Sequence, residues 1–238
     1  VGWQGFNGLA EYSSEKLTAV LQTGLSNQSF QREDLFDQPK NPLSEKKDVT
    51  GGYLKGGANY NFNENSNIFF NAGYISRQPQ FGAVFPGFAN NINEDLQNEE
   101  IQSIELGYGF ISNAFKMKVN VYSTSWGNRF ITRSLTNSQG IDGTAQFKNV
   151  DVLHQGIELE GSWRPSGSLK INGMLSIGDW TYTKDFTSTL FDDNQQEVGT
   201  GTLYTKDAKV GDAAQFVAYI EGDYKIVENL SVDLGWRF

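Results

Sequence analysis

Apolar and polar residues alternate along most of this chain, and the alternation limits the folds that it can adopt. Ile104, Leu106 and Tyr108 would lie on one side of an extended strand, and Ser103 and Glu105 on the other. Successive side chains of a strand point to opposite faces, so this period marks strands with one apolar and one polar face. The same pattern recurs in 116–122, 156–163 and 168–177. No stretch has helical periodicity, and the sequence therefore predicts an all-β chain.

The connections between the alternating runs are short and long in turn. Short connections, built from turn-forming residues, are predicted at 13–16, 63–67, 112–114, 165–167 and 227–229. Long polar connections are predicted near 31–48, 79–98, 134–146 and 186–208. About ten strands result, which are predicted to begin near 3, 16, 49, 67, 100, 115, 145, 168, 209 and 229. The repeating unit of strand, long loop, strand and short turn predicts an antiparallel up-and-down sheet.

Aromatic residues recur at both ends of the predicted strands. One row precedes the short turns and comprises Tyr12, Tyr60, Tyr108, Trp163 and Tyr224; a second lies near the long loops and comprises Tyr74, Tyr122, Trp126, Trp180 and Tyr182. Two such rows resemble the aromatic girdles of an outer-membrane barrel. A hydrophobic fraction of 38% also fits such a barrel, because only alternate residues face lipid. The sequence thus favours a transmembrane β-barrel segment with short periplasmic turns and long extracellular loops.

Two soluble folds are the alternatives to a membrane barrel. A soluble β-sandwich would also show alternation, but it explains neither the aromatic rows nor the asymmetry of the connections. A β-propeller blade of about 50 residues needs four strands, and only two long ones can be found in each such span. Either fold would make the chain a soluble binding module.

Composition excludes several kinds of function. The chain has no cysteine and one histidine, which removes thiolate zinc sites, cysteine nucleophiles and multi-histidine metal centres. A formal net charge of −9 disfavours nucleic acid as a partner. No apolar run approaches the roughly 18 residues of a membrane helix.

Three segments, in order along the chain, resemble the barrel of TonB-dependent outer-membrane receptors, particularly the Bacteroidetes type. These segments are 93–130, 154–182 and 204–238, beginning NEDLQNEE, HQGIELEG and YTKDAKVG. The resemblance implies import of a siderophore or another nutrient across the Gram-negative outer membrane, with energy from the TonB complex. Such receptors have about 22 strands and an N-terminal plug domain inside the barrel.

The chain departs from this pattern because it contains only about ten strands and no plug. It is therefore interpreted as one partial barrel domain, 1–238, embedded in outer-membrane lipid, with its own plug domain and the TonB complex as partners. The alternating apolar residues up to the terminal Phe238 favour a different hypothesis. Ten strands also suit a complete small barrel, with porin-like activity or enzymatic activity at its rim.

Two groups of residues in the predicted outer loops are candidates for ligand binding. Phe81, Phe85 and Phe88 are interpreted as exposed rings that stack on a ligand, or else pack the loop on itself or on the plug. The second group, Trp126, Asn128, Arg129 and Arg133, would suit an anionic ligand. Its alternative role is to pair its arginines with Glu105, Glu158 and Glu160 on neighbouring strands.

No cofactor, metal or catalytic site is predicted. His154 stands alone and is expected to be a strand residue near the outer rim, and no G-x-S-x-G nucleophile turn is present. Acidic clusters occur at Glu94–Asp95, at Glu99–Glu100, and at Asp192–Asp193 with Glu197. Because none has the spacing of a calcium loop, they are expected to be solvated. The sequence therefore predicts transport rather than catalysis.

Overall fold

The computed structural model describes residues 1–36, 39–136, 142–192, 196–211 and 213–238. Its twelve strands are β1 Gly2–Ser13, β2 Leu17–Phe30, β3 Lys47–Asn63, β4 Ser66–Arg77, β5 Glu99–Ile111, β6 Phe115–Thr136, β7 Asp142–Trp163, β8 Leu169–Tyr182, β9 Phe186–Asp192, β10 Glu197–Leu203, β11 Phe216–Val227 and β12 Leu230–Arg237. A four-residue helix, α1 (Phe81–Val84), and a short 3-10 turn, Pro86–Phe88, lie between β4 and β5. No helix among these residues has the length and apolar character needed to cross a membrane.

All strand pairs are antiparallel, and ten strands follow one another in a single sheet in the order β1-β2-β3-β4-β5-β6-β7-β8-β11-β12. The predicted up-and-down sheet of about ten strands is confirmed. This single sequential sheet excludes the sandwich and the propeller. The short turns also lie where the sequence predicts them, between β1 and β2, β3 and β4, β5 and β6, β7 and β8, and β11 and β12.

Three predicted boundaries were wrong. The connection at 186–208 contains the hairpin β9–β10, which pairs with the distal part of β7. The strand expected near 209 begins at Phe216, and the backbone of Lys209 forms an isolated β-bridge with Thr181 instead of a strand. The connection near 134–146 is mostly strand, because β6 continues to Thr136 and β7 begins at Asp142.

The register gives the ten-stranded sheet one apolar face. Across β4 to β8 and β11, a continuous row of directly paired residues reads Phe70–Leu106–Val121–Ile157–Ile177–Phe216. These six side chains are between 43% and 48% exposed. A monomeric soluble protein rarely exposes so continuous an apolar surface. We call this side of the sheet the apolar face.

The opposite side, which we call the polar face, carries amide–carboxylate pairs between neighbouring strands. Asn71 Nδ2 donates to Glu105 Oε2 at 3.0 Å, and Asn120 Nδ2 donates to Glu158 Oε2 at 3.2 Å. Asn172 makes the same contact with Glu221 at 3.2 Å. Each of these three carboxylates thus accepts a hydrogen bond from an amide on the neighbouring strand.

The small buried clusters lie where the long connections meet the ends of strands. Phe30, Val84 and Phe85 form one cluster, against which Val49, Ile92 and Leu96 pack. Ala145, Phe147, Val150 and Phe186 form a second, with Ile131, Tyr182 and Leu190 against it. Each cluster packs a long connection against the neighbouring strand ends. These contacts shape the surface where the candidate residues lie.

Candidate functional site

The polar face carries a charged and aromatic cluster at its long-connection end. Arg77, the last residue of β4, is paired directly with Glu99, the first residue of β5. Their side chains form an ion pair with a 2.8 Å separation between Arg77 Nη2 and Glu99 Oε2. The indole Nε1 of Trp126, on β6, donates to the same Glu99 oxygen at 2.9 Å. Glu99 is only 3% exposed, so its charge depends on these two partners.

Two guanidinium groups lie close to the Trp126 ring. Arg129 lies 4.3 Å and Arg77 lies 5.4 Å from its centroid. Both distances fall within the range in which a cation is attracted by an aromatic ring. The β6–β7 register shifts between Trp126 and Arg129, and Asn128 within the shift has a φ of 57°. This bulge places Arg129 on the polar face beside Trp126.

Asn128 and Arg133 differ from Trp126 and Arg129 in their surroundings. The Asn128 backbone N–H donates to Asp151 Oδ1 at 2.9 Å, and its side-chain Nδ2 donates to the Asn98 carbonyl at 3.2 Å. Asn128 therefore shapes the bulge. Arg133 lies farther along β6, exposed and opposite Ala145. The structure thus brings Trp126 and Arg129 together but sets Arg133 apart from them.

The alternative pairing of Arg129 and Arg133 with Glu105, Glu158 and Glu160 is absent from the ion pairs between described residues. The three glutamates pair with Tyr122, Asn120 and Lys118, all of which lie at least seven residues before Arg129 along β6. At about 3.3 Å per residue this distance is too long for an ion pair. Glu105 and Glu158 accept hydrogen bonds from asparagines instead.

Sequence reasoning missed a second group beside this cluster. His154 stacks on Trp180 with ring centroids 4.8 Å apart, and Trp180 Nε1 donates to the Tyr122 hydroxyl at 2.9 Å. His154 Nε2 is buried without a hydrogen-bond partner among the described residues. These residues share the polar face with Trp126 because they have the same parity along paired strands. The alternating pattern of each strand would have been enough to predict that these residues lie on the same face.

The prediction that the second aromatic row forms a membrane girdle was wrong. Tyr122, Trp126, Trp180 and Tyr182 lie on the polar face, and of the five residues only Tyr74 lies on the apolar face. The first row is different, since all five of its members lie on the apolar face and are between 38% and 60% exposed. That row comprises Tyr12, Tyr60, Tyr108, Trp163 and Tyr224. Its contact with a membrane interface stays a prediction.

The three phenylalanines of the 79–98 connection do not form one exposed surface. Phe85 is 1% exposed within its cluster, so the expectation that its ring is exposed was wrong. Phe81 is partly exposed and its centroid lies 5.0 Å from that of Phe85. The side chain of Phe88 lies outside what the structure describes. The loop packs on itself through Phe85, and ligand contact stays a prediction for Phe81 and Phe88.

The acidic clusters were expected to be solvated. No group of three or more histidine, aspartate or glutamate side chains suited to a metal ion occurs in the described part of the chain. Glu99 is buried beneath its ion pair with Arg77 and is not solvated as expected, whereas Glu100 is exposed. Asp193, from the third cluster, lies outside the described residues.

A groove of about 490 Å³ runs along the polar face over β2 to β5. Gln22, Lys55, Asn59, Asn71 and Glu105 are among the side chains that line it. These amide and charged groups alternate with small or apolar lining residues, among them Val20 and Phe69. Such a surface suits contact with water, with a polar ligand or with another protein surface, but not with hydrocarbon.

Solved structures with a similar fold include transporters and receptors. The copper transporter OprC has a TM-score of 0.63 and 13% identity, over 98% of this chain and 41% of its own. The FrpB iron transporter from Neisseria meningitidis has a TM-score of 0.61 and 15% identity, over 99% of this chain and 32% of its own. The siderophore receptor PirA from Pseudomonas aeruginosa has a TM-score of 0.52 and 14% identity, over 99% of this chain and 53% of its own.

This chain therefore spans between about a third and a half of the length of these proteins, and at such identities the likeness shows the fold alone. A comparison with curated protein sequences finds no match. The family described as TonB dependent receptor-like, beta-barrel, matches residues 10–202, which is most of the chain. The chain belongs to the TonB-dependent receptor β-barrel family.

Proposed function

We propose that this chain forms part of the wall of an outer-membrane receptor, which binds a small ligand outside the cell and imports it with energy from the TonB complex. The observation that carries the proposal is the family match over residues 10–202 on a sheet with one apolar and one polar face. The apolar face would contact lipid, and the polar face would contact a plug domain and the ligand. The receptor would be a transporter and not an enzyme.

The orientation follows from the lengths of the connections. Outer-membrane barrels keep their periplasmic turns short and extend their outer loops. The short turns would thus face the periplasm, and the connections 31–46 and 79–98 the cell exterior. β5 has 13 residues, of which Glu99 is the first and Ile111 the last. Crossing the hydrocarbon takes about 9–11 residues, so Glu99 and its cluster would lie at the outer rim.

The ligand class is supported by the names of the similar structures, which include a copper transporter, an iron transporter and a siderophore receptor. A siderophore or another metal-bearing nutrient is the proposed ligand. Trp126 and Arg129 are the best-placed contact residues, because they lie on the polar face at the rim. Phe81 would add an apolar contact from the loop above.

Uptake by cells that produce the full-length receptor tests this function. Labelled iron bound to catecholate, hydroxamate and carboxylate chelators, and labelled copper, would be supplied with and without a functional TonB complex. We expect one ligand class to accumulate only when TonB is functional. Residues 1–238 produced alone should give no energy-coupled uptake. Accumulation that does not depend on TonB would contradict the proposal and favour a porin-like barrel.

A further inference from the structure

The cluster around Trp126 contains more positive than negative charge. Arg77 and Arg129 each carry one positive charge, and Glu99 carries one negative charge, which its 2.8 Å ion pair assigns to Arg77. The ion pairs between described residues do not include Arg129. Arg129 is instead held against the Trp126 ring at 4.3 Å. One guanidinium is therefore left with its charge uncompensated by a carboxylate within the described chain.

This cation is held in place by neighbouring groups. Glu99 accepts the indole N–H of Trp126 at 2.9 Å, which fixes the ring on which Arg129 stacks. The bulge at Asn128, anchored by Asp151, sets the direction of the Arg129 backbone. A guanidinium whose stem and plane are already ordered loses little entropy when it binds a ligand. The arrangement resembles a prepared binding group more than a mobile surface arginine.

We propose that Arg129 is an anion-binding residue of this receptor, and that buried Glu99 is the positioning residue which holds Trp126 beneath it. The inference rests on the proposed transport function only for its location at the outer rim. The ligand group would be a carboxylate or phenolate oxygen, which a guanidinium binds through charge-assisted hydrogen bonds. Because the whole chain carries a net charge of −9, an anion would be repelled by most of the remaining surface.

Quenching of Trp126 fluorescence by iodide tests this proposal without knowledge of the natural ligand. The Trp126 signal is the difference between the detergent-solubilised receptor and its Trp126→Phe variant. Iodide reports local anion concentration, and neutral acrylamide reports access alone. A unit charge about 5 Å away changes the local concentration of a monovalent anion roughly two- to fourfold, depending on salt. Arg129→Gln should lower iodide quenching by that factor and leave acrylamide quenching unchanged.

Three further variants separate charge from position. Arg164→Gln removes an arginine at the opposite, short-turn end of the sheet, and it should leave both quenchers unaffected. Glu99→Gln keeps an acceptor for the Trp126 indole but frees Arg77, so iodide quenching should rise about two- to fourfold. Glu99→Ala removes the acceptor as well, and the fluorescence anisotropy of Trp126 should fall. A purely structural role for Glu99 would not separate the glutamine variant from the alanine variant in this way.

Citrate serves as a polycarboxylate probe of the same site. It should protect Trp126 from iodide, and its apparent affinity should fall about tenfold or more in Arg129→Gln, the usual effect of losing a hydrogen bond to a charged group. Equal iodide quenching in the unmodified receptor and in Arg129→Gln would overturn the anion site. If that difference persists while uptake proves independent of TonB, the transport proposal fails and the anion site stands.

Discussion

The contact between Gly24 and Tyr53 on the polar face gives a quantitative test of the register. These residues are direct partners on β2 and β3. A Cβ added to Gly24 would lie 2.5 Å from Tyr53 Cε1 and 2.9 Å from Cζ, whereas ordinary contact begins at 3.4 Å. In Gly24→Ala the Tyr53 ring must therefore move by about 1 Å or turn away from position 24. Such overpacking costs about 1–3 kcal/mol of stability.

The matched control is Gly173→Ala on β8, where the nearest atom to the added Cβ, the Tyr219 carbonyl oxygen, is 3.6 Å away. Both substitutions reduce the entropy of the unfolded chain similarly, so the difference between them comes mainly from the collision. Urea unfolding in detergent micelles, followed by tryptophan fluorescence, should show a free energy of unfolding about 1–3 kcal/mol lower for Gly24→Ala than for Gly173→Ala.

A double-mutant cycle identifies the cause of that cost. In a Tyr53→Ala background the ring is gone, and Gly24→Ala should then cost no more than about 0.5 kcal/mol beyond the control. An equal cost in both backgrounds would show that the substitution acts through something other than Tyr53. The β2–β3 register would then be refuted, because it is this register that places the ring over the glycine.

Three further outcomes are expected. Leu159→Arg on the apolar face should lower the free energy of unfolding in lipid vesicles by about 2–4 kcal/mol. Gln155→Arg lies on the same face but nearer the long connections, and it should lower this free energy by at most about 1 kcal/mol. Equal costs would contradict the proposal that Leu159 lies deeper in the membrane than Gln155. Trypsin added to intact cells should cut after Lys40 or Lys206 and spare Lys116, whereas the reverse pattern, read by mass spectrometry, would invert the proposed orientation. Phe85→Ala should speed hydrogen exchange of the 79–98 amides, because truncating a buried phenylalanine costs about 3–5 kcal/mol of stability. Phe81→Ala should have a smaller effect, and equal exchange in the two variants would contradict the packing of this loop on Phe85.

The parts of the fold that follow from alternation were predictable. A period of two identifies strands and their faces, which is why Leu106 and Glu105 were assigned to opposite sides correctly. The same rule places Tyr122 and Val121 on different sides of the sheet, and Tyr122 therefore lies on the polar face. The prediction for the second aromatic row failed because it considered only the distance of each aromatic residue from a loop, and not its parity.

Other features depend on information that alternation does not carry. The ion pair of Arg77 with Glu99 joins residues on either side of the 79–98 connection, so it requires the register between β4 and β5. Arg129 reaches the polar face through a bulge that breaks the period, and the only local signal is Gly127–Asn128, a pair tolerant of positive φ. The hairpin β9–β10 consists of short polar strands, which resemble a loop in sequence.

The central claim is that the two faces of this sheet meet lipid on one side and an aqueous interior on the other. Spin labels on the full-length receptor in lipid vesicles test it directly, by relaxation with oxygen, which concentrates in lipid, and with a water-soluble nickel chelate. We predict oxygen-dominated relaxation at Leu106, Val119, Leu159, Ile171 and Ile220, and chelate-dominated relaxation at Glu105, Lys118, Glu158, Lys170 and Glu221. Equal access of both reagents to the two sets would contradict the assignment of the sheet to a membrane barrel.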